Sequence, residues 1–167
     1  MPQSLPDAMV RGLRKARPKR APEQQASRTH RRSAVALSGV PLFDGFSRRH
    51  LNHLAGDADE VVFEPGEHVV DEGLLGETLF VVLEGQARVT RAGKTVGRLL
   101  PGDFFGELSA IDGGLRTATV AAETPLVCLR LFRHTLVSLL RAEPLLAVKL
   151  SQGIARRIRE VQRPITA

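Results

Sequence analysis

The sequence has 167 residues, of which 43% are hydrophobic, and a formal net charge of +6. This is enough chain for one domain with a packed core, and no apolar run reaches the ~20 residues that a membrane-spanning helix needs. The N-terminus has no apolar stretch typical of a secretory signal. Cys128, the single cysteine, lies in the apolar run LVCLRL and is expected to be a reduced, buried core residue. Together these features favour a cytoplasmic globular protein.

Residues 1–36 are interpreted as a basic, disordered leader. The first 32 residues hold nine of the 24 Lys and Arg residues but only two acidic ones, so the rest of the chain is close to neutral. The leader is rich in Pro, Arg, Gln and Ser, and it has too few large apolar residues to offset the entropy of ordering. The folded domain is therefore predicted to cover residues 37–163.

The next segment predicts one short helix followed by many strands. The helix is predicted in PLFDGFSRRHLNHLAG, from Pro41, with Phe46, Leu51 and Leu54 on its buried face and Gly56 at its end. From Ala58 onwards, short β-rich runs alternate with glycine-containing turns, which is typical of a sandwich or barrel. The runs are EVVFE, HVVDE, TLFVVLEG, ARVTRAG, KTVGRLL, TATVAA and LVCLRL.

After Phe132 the hydrophobic period lengthens to that of helices. HTLVSLLRAE predicts one helix, and Pro144 suits the first position of the next. This last helix carries an apolar stripe with a spacing of mostly four residues, which can pack on the strands or on a second copy of the same helix. The stripe consists of Leu146, Leu150, Ile154, Ile158 and Val161.

The stretch FGELSAIDGGLRTATV, residues 105–120, is the strongest candidate for a ligand site. A bound phosphate ester needs a fixed cation and free backbone N–H groups, which the first turn of a helix supplies. GELSAI predicts such a helix, with Gly106 allowing close approach, and Arg116 offers a planar fork for phosphate oxygens. Glu107 would repel a phosphate and is suited to accept from a ribose hydroxyl; in the empty site it could pair with Arg116. Ala118 shares the strand face of Arg116 and leaves room for the ligand.

This stretch resembles the phosphate-binding cassette of the cyclic nucleotide-binding domain family, through its G-E-L start, its arginine and the run R-T-A-T-V. EPGEHVVDEGLLGETLFVVLEGQARV is similar to the first strands of the family, LLPGDFFGE to the lead into the cassette, and LSQGIARRI to the C-terminal helix. The resemblance covers roughly residues 39–162. It implies a mainly β fold with flanking α-helices: an eight-stranded β-roll, or jelly-roll-like barrel, with an N-terminal helix, a short cassette helix and C-terminal helices.

The resemblance also implies a function without catalysis, in which a cyclic nucleotide binds a regulatory module and the C-terminal helix relays the binding. It assigns the ribose hydroxyl to Glu107 and the phosphate to Arg116. The other implied ligand-binding residues are Gly106, Leu108 and Ala118 through their backbone, Ser109 and Thr117 in the cassette, Val89 and Leu99 as apolar walls near the base, and Arg157 on the last helix. For Arg157, a solvated helix residue is an equal alternative.

The nucleotide is expected to be cAMP rather than cGMP, because the chain looks bacterial. Thr117 leaves cGMP open, since a hydroxyl at this position favours cGMP in some members of the family, whereas others with Ser or Thr bind cAMP. Bacterial activators of the family continue into a helix-turn-helix module. A chain that stops at Ala167 is too short for one, so we expect no DNA reading by that route.

Two other interpretations stay open. A cupin-like metalloenzyme shares the β-roll and the LLPGDF segment, but a metal site needs converging ligands. The five histidines are scattered and form no His-x-His pair on a predicted strand, so no metal is expected. Alternatively, the nucleotide site is degenerate and the basic leader binds an acidic partner, a membrane surface or nucleic acid. A homodimer or a partner protein is the expected contact of the C-terminal helix.

Overall fold

The computed structural model describes residues 34–161. Residues 1–33 of the predicted leader therefore lie outside the described residues. Residues 34–38 are helical, and Ala34 and Leu37 are buried in the core. The domain thus takes in the last three residues that the composition assigns to the leader.

Among the described residues, a 3-10 turn, four helices and eight strands follow this helical segment. The turn is Pro41–Phe43, and the helices are α1 (Arg48–Asp57), α2 (Glu107–Asp112), α3 (Arg133–Ala142) and α4 (Pro144–Val161). The strands are β1 (Asp59–Phe63), β2 (His68–Val70), β3 (Thr78–Glu84), β4 (Ala87–Arg91), β5 (Lys94–Leu99), β6 (Phe104–Phe105), β7 (Thr119–Ala122) and β8 (Leu126–Phe132). None of these helices is long and apolar enough to cross a membrane.

The strands form two four-stranded antiparallel sheets. The strand order is β1-β8-β3-β6 in the first sheet and β2-β7-β4-β5 in the second. In the first sheet Val81 lies opposite Leu129, and in the second Val89 lies opposite Val120. The mainly β roll with flanking helices that the sequence predicts is confirmed.

Strand β3 is buried on both faces because it lies between two cores. Leu79 and Val81 pack with the helices, whereas Phe80 and Val82 pack in the space between the two sheets. Cys128, on β8, belongs to the inter-sheet core and is fully buried, and this burial raises the pKa of its thiol to about 12. The prediction that Cys128 is a buried core residue is confirmed.

The helix predicted from Pro41 is interrupted. A 3-10 turn ends at Phe43, and Gly45 has a φ of 88°, which an α-helix cannot contain. Helix α1 then begins after Ser47, whose side chain accepts a hydrogen bond from His50 N at 3.2 Å. Its Leu51 and Leu54 are buried as predicted, whereas Phe46 is only partly buried.

Helix α4 begins at Pro144, as predicted, and is tied to the N-terminal turn. Its Leu146 and Leu150 are buried in the helical core. Lys149 Nζ donates hydrogen bonds to the carbonyl oxygens of Pro41, at 3.4 Å, and of Asp44. The first half of α4 is therefore held firmly against the turn that precedes α1.

Candidate ligand-binding cavity

A cavity of about 420 Å³ lies between the second sheet, the short helix α2 and helix α4. Every residue that the sequence and the resemblance single out as a ligand contact is part of its lining, although these residues span almost seventy positions of the chain. They are Val89, Leu99, Gly106, Glu107, Leu108, Ser109, Arg116, Thr117, Ala118 and Arg157.

Seven further lining residues were not predicted to contact a ligand. They are Val70, Arg91, Phe105, Leu115, Val120, Ile154 and Ile158. For some of them a signal existed: Arg91 follows Val89 by two positions, so strand alternation places both on one face. Ile154 and Ile158 belong to the predicted apolar stripe of the last helix. No sequence signal identified Leu115.

Arg116 is fixed in the cavity wall by hydrogen bonds to the protein, and only 7% of its surface is exposed. Its Nη1 donates to Thr78 O at 2.7 Å, to Gly106 O at 3.1 Å and to Ser109 Oγ at 2.7 Å. Its Nη2 donates to Thr78 Oγ1 at 2.6 Å. Burial lowers the pKa of Arg116, and the negative charge of Glu107 acts in the opposite direction. Because an arginine titrates far above neutral pH, the cavity contains an oriented cation.

Two glycines make room for this arginine. Gly106 precedes α2 with a φ of 80°, and a Cβ there would come within 2.6 Å of Thr78 O. A Cβ on Gly76 would overlap the Arg116 guanidinium itself. A side chain at either position would displace Arg116 from its slot, so the glycines are part of the site.

Glu107 is almost fully buried and pairs with helix α4. Its Oε1 accepts a hydrogen bond from Arg157 Nη1 at 2.6 Å. Arg157 also donates through Nη2 to Phe104 O, and its guanidinium lies 4.6 Å from the centre of the Phe104 ring. The expected pairing of Glu107 with Arg116 is therefore wrong in this structure, because Thr78 and Ser109 hold Arg116 elsewhere. The Arg157 side chain is thus paired at the cavity wall, although 38% of it remains exposed.

The remaining walls of the cavity are mostly apolar. Val89 and Leu99 contribute from the second sheet, and Ile154 and Ile158 contribute from α4. Leu99 is 9% exposed, whereas Ile158 is 52% exposed. An apolar space with a buried cation, Arg116, and a buried carboxylate, Glu107, suits a small anion that carries both an apolar ring and hydroxyl groups.

Within residues 34–161, no three His, Cys, Asp or Glu side chains come together in an arrangement that could hold a metal ion. His50 pairs with Glu143 at 3.1 Å and His68 with Asp71 at 2.5 Å, and neither pair of described residues is joined by a third side chain of these types in such an arrangement. The cupin-like alternative thus has no cluster of ligands in this part of the chain.

Comparison with known proteins finds relatives whose names refer to cyclic nucleotides. A cyclic AMP receptor protein of Thermus thermophilus is 33% identical over 129 residues, which are 74% of this chain and 60% of that protein. A cGMP-dependent protein kinase of Eimeria tenella is 29% identical over 78% of this chain and 13% of its own. The chain thus spans less than two thirds of the length of these curated relatives.

Solved structures agree. The crystal structure of a cyclic nucleotide-binding domain from Methylobacillus flagellatus matches with a TM-score of 0.70 and 26% identity, covering 84% of both chains. The family description "Cyclic nucleotide-binding domain" matches residues 60–143, from β1 to the end of α3. The chain belongs to the cyclic nucleotide-binding domain family.

Proposed function

We propose that this chain is a cytoplasmic cyclic nucleotide sensor that binds cAMP in preference to cGMP and catalyses no reaction. One observation carries the proposal: the buried guanidinium of Arg116 and the buried carboxylate of Glu107 line a single cavity. The name of the Thermus relative supports cAMP, and the name of the Eimeria relative makes cGMP the competitor to test.

In this proposal the cyclic phosphate lies beside Arg116, and the ribose 2′-hydroxyl donates to Glu107. Since Oε1 of Glu107 accepts from Arg157, Oε2 is the oxygen left for the ribose. Ser109 keeps Arg116 in place through its hydroxyl. The backbone of Gly106, Leu108 and Ala118 and the hydroxyl of Thr117 complete the phosphate side, and Val89 and Leu99 contact the base.

Helix α4 relays the binding. It supplies Ile154, Arg157 and Ile158 to the cavity wall, so a ligand in the cavity contacts the helix directly. A ligand shifts the packing of α4 only by the difference between its affinities for the two states. The exposed side of the helix, which includes Val148, would transmit the change to a second copy of the chain or to a partner protein.

Calorimetric titration of the full chain with cAMP, cGMP and 5′-AMP tests the proposal. We expect cAMP to bind more tightly than cGMP. We expect 5′-AMP to bind weakly, because its dianionic phosphate is not held in a ring with the ribose. Tighter binding of cGMP would reverse the base preference, and no binding of either cyclic nucleotide would contradict the function.

A further inference from the structure

Arg91 is a third arginine in the cavity wall, beside Arg116 and Arg157, and the proposed function gives it neither the phosphate nor the ribose. It is the last residue of β4 and lies on the same strand face as Val89. Its Nε donates a hydrogen bond to the backbone oxygen of Thr117 at 3.1 Å. No acidic side chain of the described residues forms an ion pair with it. Its hydrogen bond to the carbonyl of Thr117 is therefore the contact that holds this side chain.

This contact fixes the orientation of one peptide group. A peptide bond is planar and trans, so its C=O and its N–H point in opposite directions. Arg91 holds the oxygen of the Thr117–Ala118 peptide, and the N–H of Ala118 must then point to the other side. In the described part of the chain, no backbone acceptor takes this N–H. Ala118 lines the cavity, and the chain bends at Thr117 and Ala118.

The preceding peptide groups are held by the backbone alone. Gly73 N donates to Arg116 O at 2.9 Å, and Arg116 N donates to Leu74 O at 2.8 Å. The next carbonyl along the chain, that of Thr117, is held by the side chain of Arg91. Of these three carbonyl and amide contacts, this one alone is made by a side chain.

We propose that Arg91 is a positioning residue for phosphate recognition. By holding the carbonyl of Thr117, it keeps the N–H of Ala118 directed at the cyclic phosphate. Its positive charge also polarises the peptide and makes that N–H a stronger donor, as hydrogen bonds in a chain strengthen one another. Arg91 itself does not contact the nucleotide. The inference rests on the proposed function, since it requires a phosphate in the cavity.

The test compares Arg91→Ala, Arg91→Lys and Arg88→Ala. Arg88 is a matched control, because it lies on the same strand, three residues away on the opposite face, and pairs with Glu123 at 3.0 Å. Removing either arginine lowers the net charge equally. We expect Arg91→Ala to bind cAMP about three- to tenfold more weakly, as for the loss of one hydrogen bond. Arg91→Lys should lie between Arg91→Ala and the parent, and Arg88→Ala should stay within about twofold of the parent.

The backbone amide of Ala118 gives a second readout that overall stability does not move. In ¹H–¹⁵N spectra its proton signal should shift downfield when cAMP binds the parent, and it should shift less in both Arg91 variants. If a thermal melt shows that Arg91→Ala is not folded, the comparison of Arg91→Lys with the parent tests the proposal.

Three results would overturn the role of Arg91. The first is that Arg91→Ala binds cAMP as tightly as the parent, and the second is that Arg91→Ala and Arg88→Ala lose equal affinity. The third is that the Ala118 amide signal shifts on cAMP binding by the same amount in the Arg91 variants as in the parent. Each presupposes that the parent binds cAMP. A parent that binds no cyclic nucleotide instead contradicts the proposed function.

Discussion

At the scale of single residues, each buried charge of the cavity has its own partner. A buried charge is stable only when it is paired or well hydrogen-bonded. Arg116 donates hydrogen bonds to Thr78 and Ser109, and Glu107 accepts one from Arg157. Because Arg116 and Glu107 are held separately, both can face a ligand without first breaking a bond to each other.

Glu107→Gln should weaken cAMP binding moderately. The amide oxygen can still accept from the ribose hydroxyl, but the charge opposite Arg157 is lost. We expect a cost of about 1–2 kcal/mol, the usual difference between charged and neutral hydrogen bonds, or roughly five- to thirtyfold in affinity. Glu123→Gln is the control: Glu123 is likewise a carboxylate paired with arginine, here Arg88 and Arg98, but it is not part of the cavity lining. An equal loss in both variants, measured by calorimetry, would contradict the role of Glu107.

The motif around Arg116 could be predicted from the sequence, but the groups that hold Arg116 could not. Glu107 and Arg116 are recognisable because the cassette keeps them at a short, fixed spacing. Thr78 lies 38 residues before Arg116, and only the pairing of distant strands brings it within 2.6 Å. Periodicity within a segment carries no information about such contacts.

At the scale of elements, helix α4 has two halves with different surroundings. Leu146, Lys149 and Leu150 hold the first half on the core and on the turn at Pro41–Phe43. Ile154 and Ile158, in the second half, face the cavity and are only half-buried or exposed. The second half is therefore the part that a ligand can stabilise.

Hydrogen exchange should slow across residues 154–161 when cAMP binds, and much less across residues 144–150. The ligand adds contacts only to the second half of α4, and exchange reports local opening. Arg157→Ala should reduce the effect, because it removes the link between α4 and Glu107. Arg156→Ala, a neighbouring exposed arginine, should not. Identical exchange with and without cAMP would contradict the relay but not the binding.

Most elements could be predicted from sequence patterns, and the exceptions have physical reasons. All seven β-rich runs contain a strand, because alternation and glycine-containing turns mark them clearly. Strand β6, Phe104–Phe105, is too short to show any alternation, so the sequence identifies it only as part of the lead into the cassette. The helix predicted from Pro41 is broken at Gly45, whose φ of 88° lies outside the helical region, and hydrophobic periodicity does not report backbone angles.

At the scale of the whole molecule, the charge is unevenly distributed along the chain. Nine of the 24 basic residues fall in the first 32 positions, before the described domain begins. The composition of this leader predicts little apolar surface to bury. Within the described residues, the domain includes residues 34–36, since Ala34 and Leu37 are part of the core.

Deleting residues 1–33 should therefore leave the melting temperature and the affinity for cAMP nearly unchanged. Deleting residues 1–39 should lower the melting temperature by several degrees, because it removes the fully buried Leu37, and such a loss costs about 2–5 kcal/mol. Thermal melts of both truncated chains make the comparison. A loss of several degrees in the shorter deletion would show that the leader packs on the domain.

Calorimetric titration of Arg116→Ala with cAMP, beside the parent, tests the cavity assignment most directly. Removing one partner of a buried charged contact costs about 2–5 kcal/mol, so affinity should fall roughly thirtyfold to several-thousandfold. Arg116→Lys should recover only part of this, since an ammonium lacks the planar fork. Arg116→Ala should remain folded, because this side chain serves the cavity more than the core. The loss of its hydrogen bonds to Thr78, Gly106 and Ser109 predicts a lower melting temperature, so the titration is run well below it. Folded Arg116→Ala that binds cAMP within about threefold of the parent would contradict the assignment.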